Sequence, residues 1–222
     1  MAALIVPGLP FPLDPDGVPP CAHLVGHDGT LTLTSGPGTD LFIDPAGAAA
    51  TLPDAGRLVG LPPDGDFTLS ARVMVDFACS YDAGVLFLHA GQRRWAKLCL
   101  EYSPQHQPTA VTVVTRETSD DSNSFEVGSE PLWLRMTRSG RAWAFHASTD
   151  GSWWRLLRYF SLDDAAAPGQ PPIPGRPPAP GRAAGPVRVG FLAQSPAGPG
   201  CTAVFEHIAY RAGAPGDLRD GS

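Results

Sequence analysis

The chain has 222 residues, 43% of them hydrophobic and only 17% charged, with a formal net charge of −6. That balance describes a folded chain rather than a disordered one. The arginines stand singly or in pairs and make no basic stripe, which excludes nucleic acid as a partner, because phosphate binding needs clustered cations that release counterions.

Glycine and proline number 25 each and lysine occurs once, at Lys97; such a composition interrupts helices and suits short strands joined by turns. The first ten residues, Met-Ala-Ala-Leu-Ile-Val-Pro-Gly-Leu-Pro, have no basic n-region and no sustained apolar run, so they read as a poor secretion signal. No window approaches the roughly 18 apolar residues of a membrane span. The expectation is a cytoplasmic protein with no membrane partner, in which Cys21, Cys79, Cys99 and Cys201 are buried reduced thiols. In an exported chain they would allow two disulfides with three pairings.

Residues 1–30, rich in Pro, Gly and Asp, read as an extended lead-in. Leu31-Thr-Leu-Thr then alternates cleanly, and Phe67 to Phe77 is a long strand-like run with aromatic ends. Gly84-Val-Leu-Phe-Leu-His-Ala is continuously apolar, the pattern of a strand covered on both faces. Trp95 to Tyr102 and Ala110 to Thr115 alternate. The acidic cluster Glu117, Asp120 and Asp121 reads as a loop. Leu132 to Arg138 and Ala142 to Ser148 are joined by Ser139-Gly140, and Asp150-Gly151 precedes the run from Trp153 to Phe160; both dipeptides are hairpin signals. Val187 to Ser195 and Ala203 to Tyr210 close the series.

Many short strands with turn residues between them predict an all-β antiparallel sandwich, one domain over 31–211. Between Ala165 and Pro186 stand eight prolines and four glycines, a segment that cannot build a ladder; it is expected as a surface insertion or a flap over the neighbouring sheet. Residues 212–222 are expected to fray.

Successive side chains of a strand face opposite sides. Ala96, Leu98, Leu100 and Tyr102 therefore belong between the sheets, and Trp95, Lys97, Cys99 and Glu101 on the outer face, with Lys97 and Glu101 roughly 13 Å apart along the strand. The same alternation turns Arg135, His146 and Gln194 outward. If those strands are neighbours, Trp95, Lys97, Glu101, Arg135, His146 and Gln194 line one concave surface. A ring beside charges and amides suits a carbohydrate or another small polar ligand, the ring covering an apolar face while polar groups read hydroxyls. In this scheme Trp95, Lys97, Arg135 and Gln194 bind ligand.

An enzymatic alternative uses Glu101 and His146 as acid and base on a small metabolite, in lyase, isomerase or cyclase chemistry, and a third possibility is a protein-interaction domain using the proline-rich segment. Two-carboxylate glycoside hydrolysis is disfavoured, since Glu101 has no acidic neighbour two residues away. The six histidines are scattered, and no metal site or cofactor is expected; His23 and His27, the only close pair, lie in a Pro/Gly-rich stretch. No nucleotide-binding or nucleophile-elbow motif occurs. Oligomeric state leaves no mark on the sequence.

Tyr81-Asp-Ala-Gly-Val-Leu-Phe-Leu, Trp95-Ala-Lys-Leu-Cys-Leu-Glu-Tyr, Val113-Val-Thr, Ser119-Asp120, Leu134-Arg-Met-Thr-Arg, Ser148-Thr-Asp-Gly-Ser-Trp and Val189-Gly-Phe-Leu-Ala-Gln-Ser-Pro, in that order, resemble the regulation-of-enolase-like family, domain of unknown function 1349. Asp40-Leu-Phe resembles its early Asp-Phe-Trp element. The likeness spans about residues 36–210. It implies a concanavalin A-like lectin/glucanase jelly roll in which Lys97 and Glu101 occupy a Trp-x-Lys-x-x-x-Glu pattern, and it implies no particular reaction. Where the family often has Ser-Asp-Trp-Ser, this chain has Ser119-Asp-Asp-Ser, without the ring.

Overall fold

The structure is a computed structural model and describes residues 3–47, 54–128, 131–162 and 186–222. The expected proline-rich insertion lies, but for its last residue, outside the described residues.

Fourteen strands among the described residues form two seven-stranded sheets. The first has the order β1 (Asp14–Asp16), β4 (Arg57–Gly60), β13 (Arg188–Gln194), β6 (Ala83–Gly91), β7 (Arg94–Tyr102), β8 (Pro108–Arg116), β9 (Thr118–Glu126). The second has the order β12 (Arg155–Ser161), β11 (Ala142–Ser148), β10 (Leu132–Ser139), β5 (Phe67–Val75), β14 (Thr202–Ala212), β3 (Leu31–Thr34), β2 (Ala22–Val25). Every strand pair is antiparallel. The sheets pack face to face as a concanavalin A-like jelly-roll sandwich.

The alternation explains the core. Leu86, Leu88, Ala96, Leu98, Leu100, Val189 and Phe191 of the first sheet meet Leu132, Leu134, Met136, Phe145 and Phe205 of the second, all of them buried. The Phe191 and Phe205 rings meet edge-on at 4.9 Å between centroids. Each fully buried Leu or Phe contributes about 2 kcal/mol of transfer free energy.

The outer face of the first sheet is also covered. Val85, Phe87, Trp95, Cys99, Val111, Val113 and Leu192 point away from the central core, yet form a second buried layer with Leu41, Ile43 and Ala55. The cover is a strap that follows β3. Thr39 bridges to Ser195, whose amide donates to Thr39 Oγ1 at 3.0 Å. Further on, the Ile43 amide donates to Ser119 Oγ at 2.8 Å and the Ser119 amide to the Ile43 carbonyl at 2.8 Å. The strap thus runs across the sheet from the end of β13 to β9.

Three expectations change. The lead-in is part of the sheets: it supplies β1 and β2, and Leu4 pairs with Leu13 across two backbone hydrogen bonds. Asp14-Pro-Asp16 reads poorly as a strand, but β1 lies at a sheet edge, where proline's missing N–H leaves no ladder bond unmade. The acidic cluster after Glu117 is not a loop but the edge strand β9, whose residues are mostly solvent-exposed and so show no apolar period.

The tail after Ala212 does not fray. It folds onto the outer face of the second sheet, where His146 Nε2 bonds the Leu218 carbonyl at 2.8 Å and Arg135 donates to the Gly221 carbonyl at 2.7 Å. A Cβ at Gly221, whose φ is +82°, would stand 2.8 Å from the Trp154 Cβ, so only glycine fits this turn.

Candidate functional site

A cleft of about 500 Å³ opens on the outer face of the first sheet, lined by Asp40, Phe42, Tyr81, Lys97, Glu101, Ser103, Pro104, Val111, Val113, Asp121, Asn123, Gln194 and Pro196. Its polar lining comes from several elements. β7 supplies Lys97 and Glu101, which alternation sends outward together. The end of β13 supplies Gln194, β9 supplies Asp121 and Asn123, and the strap supplies Asp40 and Phe42. Tyr81 projects from the turn before β6.

Lys97 forms the floor. It is 2% exposed, and a buried ammonium must be paired to be tolerated. Its Nζ donates to Gln194 Oε1 at 3.0 Å, stands 3.9 Å from Asp40 Oδ1 and lies 5.6 Å from the Trp95 ring centroid. Glu101, four residues along the same strand, has its pKa pushed up to about 7 by burial; Lys97 opposes the rise, while the Asp40 and Asp121 carboxylates add to it. A buried lysine and a carboxyl displaced by burial in one cleft make this the candidate site.

The rim is held by a buried network. Asp82 is fully buried and accepts from the amides of Ala78 at 2.9 Å and Cys79 at 2.8 Å and from Ser195 Oγ at 2.6 Å. These bonds tie the turn carrying Tyr81 to the end of β13, and through Thr39 to the strap. Tyr81 has φ 73° and is 43% exposed. A bulky residue in the left-handed region is strained, and here it holds a ring over the cleft.

Of the six residues expected to share one surface, Lys97, Glu101 and Gln194 do. Trp95 lies on the same face but is 1% exposed, buried in the second layer, and so offers no open ring for stacking. It lines a neighbouring cavity of about 410 Å³ with Arg57, Phe87 and His89. Arg135 and His146 do not join the cleft. They pair across β10 and β11 in the second sheet, on the opposite outer face of the sandwich and under the C-terminal tail. Arg135 lies over the Trp154 ring at 4.3 Å, and burial lowers its pKa to about 10. Burial likewise lowers His146 to about 4. Glu101 and His146 therefore cannot act on one substrate as an acid and base pair.

Asp40, Tyr81, Asp121 and Asn123 escaped the strand logic because none lies on a strand with apolar alternation. Two signals were present: Asp40 and Tyr81 stand in segments that carry the family resemblance, and Asp121 occupies the position where the resembled family often has Trp. Asp40 and Asp121, from other elements, bring carboxylates within electrostatic reach of Glu101. Among the described residues no group of three or more His, Cys, Asp or Glu is placed to hold a metal ion, and no helix is long and apolar enough to cross a membrane.

A two-sheet jelly roll with a polar cleft on one outer face defines a concanavalin A-like module. The family model DUF1349, protein of unknown function, matches residues 19–212, and the chain belongs to that family. No curated protein matches the sequence. Among solved structures, the fold is similar to a functionally unknown protein from Saccharomyces cerevisiae, with a TM-score of 0.68 and 19% identity over 90% of this chain and 97% of that one. It is also similar to part of the GH43 protein BlXynB from Bacillus licheniformis (TM-score 0.65, 18% identity, 91% of this chain and 37% of that one). A third likeness is to GH43B of the Bacteroides ovatus xyloglucan locus (TM-score 0.61, 17% identity, 83% of this chain and 33% of that one). The chain thus spans about a third of those two GH43 chains, and at these identities the likeness establishes the fold alone.

Proposed function

We propose that the chain is a carbohydrate-binding module whose ligand lies in the cleft between the strap and β9. The observation that carries this is the union of a buried, already paired Lys97–Gln194 floor with open carboxylates and an exposed Tyr81 ring on one concave face. Sugar hydroxyls donate to Glu101, Asp121 and Asn123, and the ring covers an apolar sugar face. The occurrence of this fold within GH43 chains supports the same ligand class.

Isothermal titration with a panel of neutral xylo-, arabino- and gluco-oligosaccharides tests the proposal. Tyr81→Ala, a change at an exposed ring, is expected to weaken binding of the responding glycan about tenfold or more, the scale of one lost aromatic contact. Unchanged affinity in that variant, or silence across the panel, rejects the site.

One observation favours a second role. A Glu101 carboxyl titrating near neutrality suits a general acid or base, with Asp40 and Asp121 as the neighbouring carboxylates. Turnover of a bound sugar that disappears in Glu101→Gln while binding persists would establish it; full turnover in the variant would remove it.

A further inference from the structure

Resting on the carbohydrate proposal for the cleft, we infer that it selects an amine-bearing sugar over the uncharged parent and rejects the carboxylated form. Lys97 is the only cation among the described lining residues, and its charge is spent within the protein. Its Nζ is taken up by Gln194 at 3.0 Å and Asp40 at 3.9 Å, it lies 5.6 Å from the Trp95 ring centroid, and the side chain is 2% exposed. An incoming carboxylate therefore finds no free ammonium.

Glu101 and Asp121, by contrast, make no ion pair within 4.0 Å among the described residues. Three carboxylates face one ammonium, so the cleft is net negative whether or not Glu101 is ionised, and more so when it is. Partial burial reduces the screening that would erase such an imbalance on an open surface. The Tyr81 ring at the mouth, 43% exposed, adds a face that attracts ammonium and not carboxylate.

Chemical-shift titration of the full-length protein at pH 7 with methyl β-glucoside, its 2-amino-2-deoxy counterpart and methyl β-glucuronide decides the matter at millimolar affinities. The amino sugar is expected to bind about tenfold more tightly than the glucuronide, with the neutral sugar between. Asp121→Asn, an exposed edge-strand change, should shrink that ratio several-fold. A glucuronide that binds as well as the amino sugar, or a ratio indifferent to Asp121→Asn, overturns the inference and leaves the carbohydrate proposal standing. Silence from all three sugars overturns it as well, and the neutral oligosaccharide panel then judges the carbohydrate proposal by itself.

Discussion

Glu101 and His146 carry pKa values displaced in opposite directions, to about 7 and about 4, and burial is the first cause of both. For Glu101 the folded value lies above the ordinary 4.5, so the folded state holds the extra proton between pH 4.5 and 7 and loses stability as pH rises through that window. For His146 the folded value lies below the ordinary 6.5, so the unfolded state holds the extra proton between pH 4 and 6.5 and stability is lost as pH falls. Each slope is on the order of 1 kcal/mol per pH unit, with opposite sign, and in the wild type they largely cancel. Between pH 4.5 and 6.5 denaturant unfolding should therefore vary less than either group alone would impose, with His89, whose folded pKa burial also lowers, adding to the loss toward acid. Glu101→Gln should uncover the acid loss due to His146, and His146→Gln the loss on the alkaline side due to Glu101. Parallel profiles for all three proteins would show that these two groups are not displaced as described.

At the scale of elements, the cleft depends on how the strap and the Tyr81 turn are anchored to the end of β13. Asp82 sits at that joint, accepting two amides and the Ser195 hydroxyl, and Ser195 in turn binds Thr39. Asp82→Ala leaves the buried Ser195 hydroxyl and the part-buried amides of Ala78 and Cys79 without their acceptor. The expected cost is about 2–4 kcal/mol, read as a lower urea midpoint with unchanged slope. Because Tyr81 and Asp40 both hang on this joint, ligand affinity in the cleft should fall as well. A variant that keeps its stability would show that backbone pairing alone holds the turn. The pattern of strands was legible in sequence wherever a face is apolar: β3, β5, β7, β8, β10, β11, β13 and β14 follow the alternation, and β6, covered on both faces, shows as a continuous apolar run. β9 was hidden because an edge strand facing water over most of its length has no apolar face to display, and β1 because Asp-Pro-Asp belongs to an edge.

At the scale of the whole molecule, the two outer faces have separate fates. The first sheet's outer face is roofed by the strap, which leaves the cleft beside it; the second sheet's is roofed by the C-terminal tail, which caps Arg135 and His146 with the Leu218 and Gly221 carbonyls. Truncation after Gly213 uncovers His146, whose pKa in an NMR titration should move from about 4 toward its ordinary value of 6.5, while affinity in the cleft across the sandwich stays as it was. A His146 still titrating near pH 4 after truncation would assign its burial to the sheet rather than the tail.

What the sequence determined by itself is the face on which each side chain of an alternating strand lies. Ala96, Leu98, Leu134 and Phe145 are inside, and Lys97, Glu101, Arg135, His146 and Gln194 point away from the central core, because alternation is a local property of extended backbone. Which sheet a strand joins is decided by pairing between distant segments. Only the tertiary structure could separate Arg135 and His146 from Lys97 and Glu101, bury Trp95 in the second layer, and bring Asp40, Tyr81 and Asp121 from unrelated stretches of chain to the same cleft.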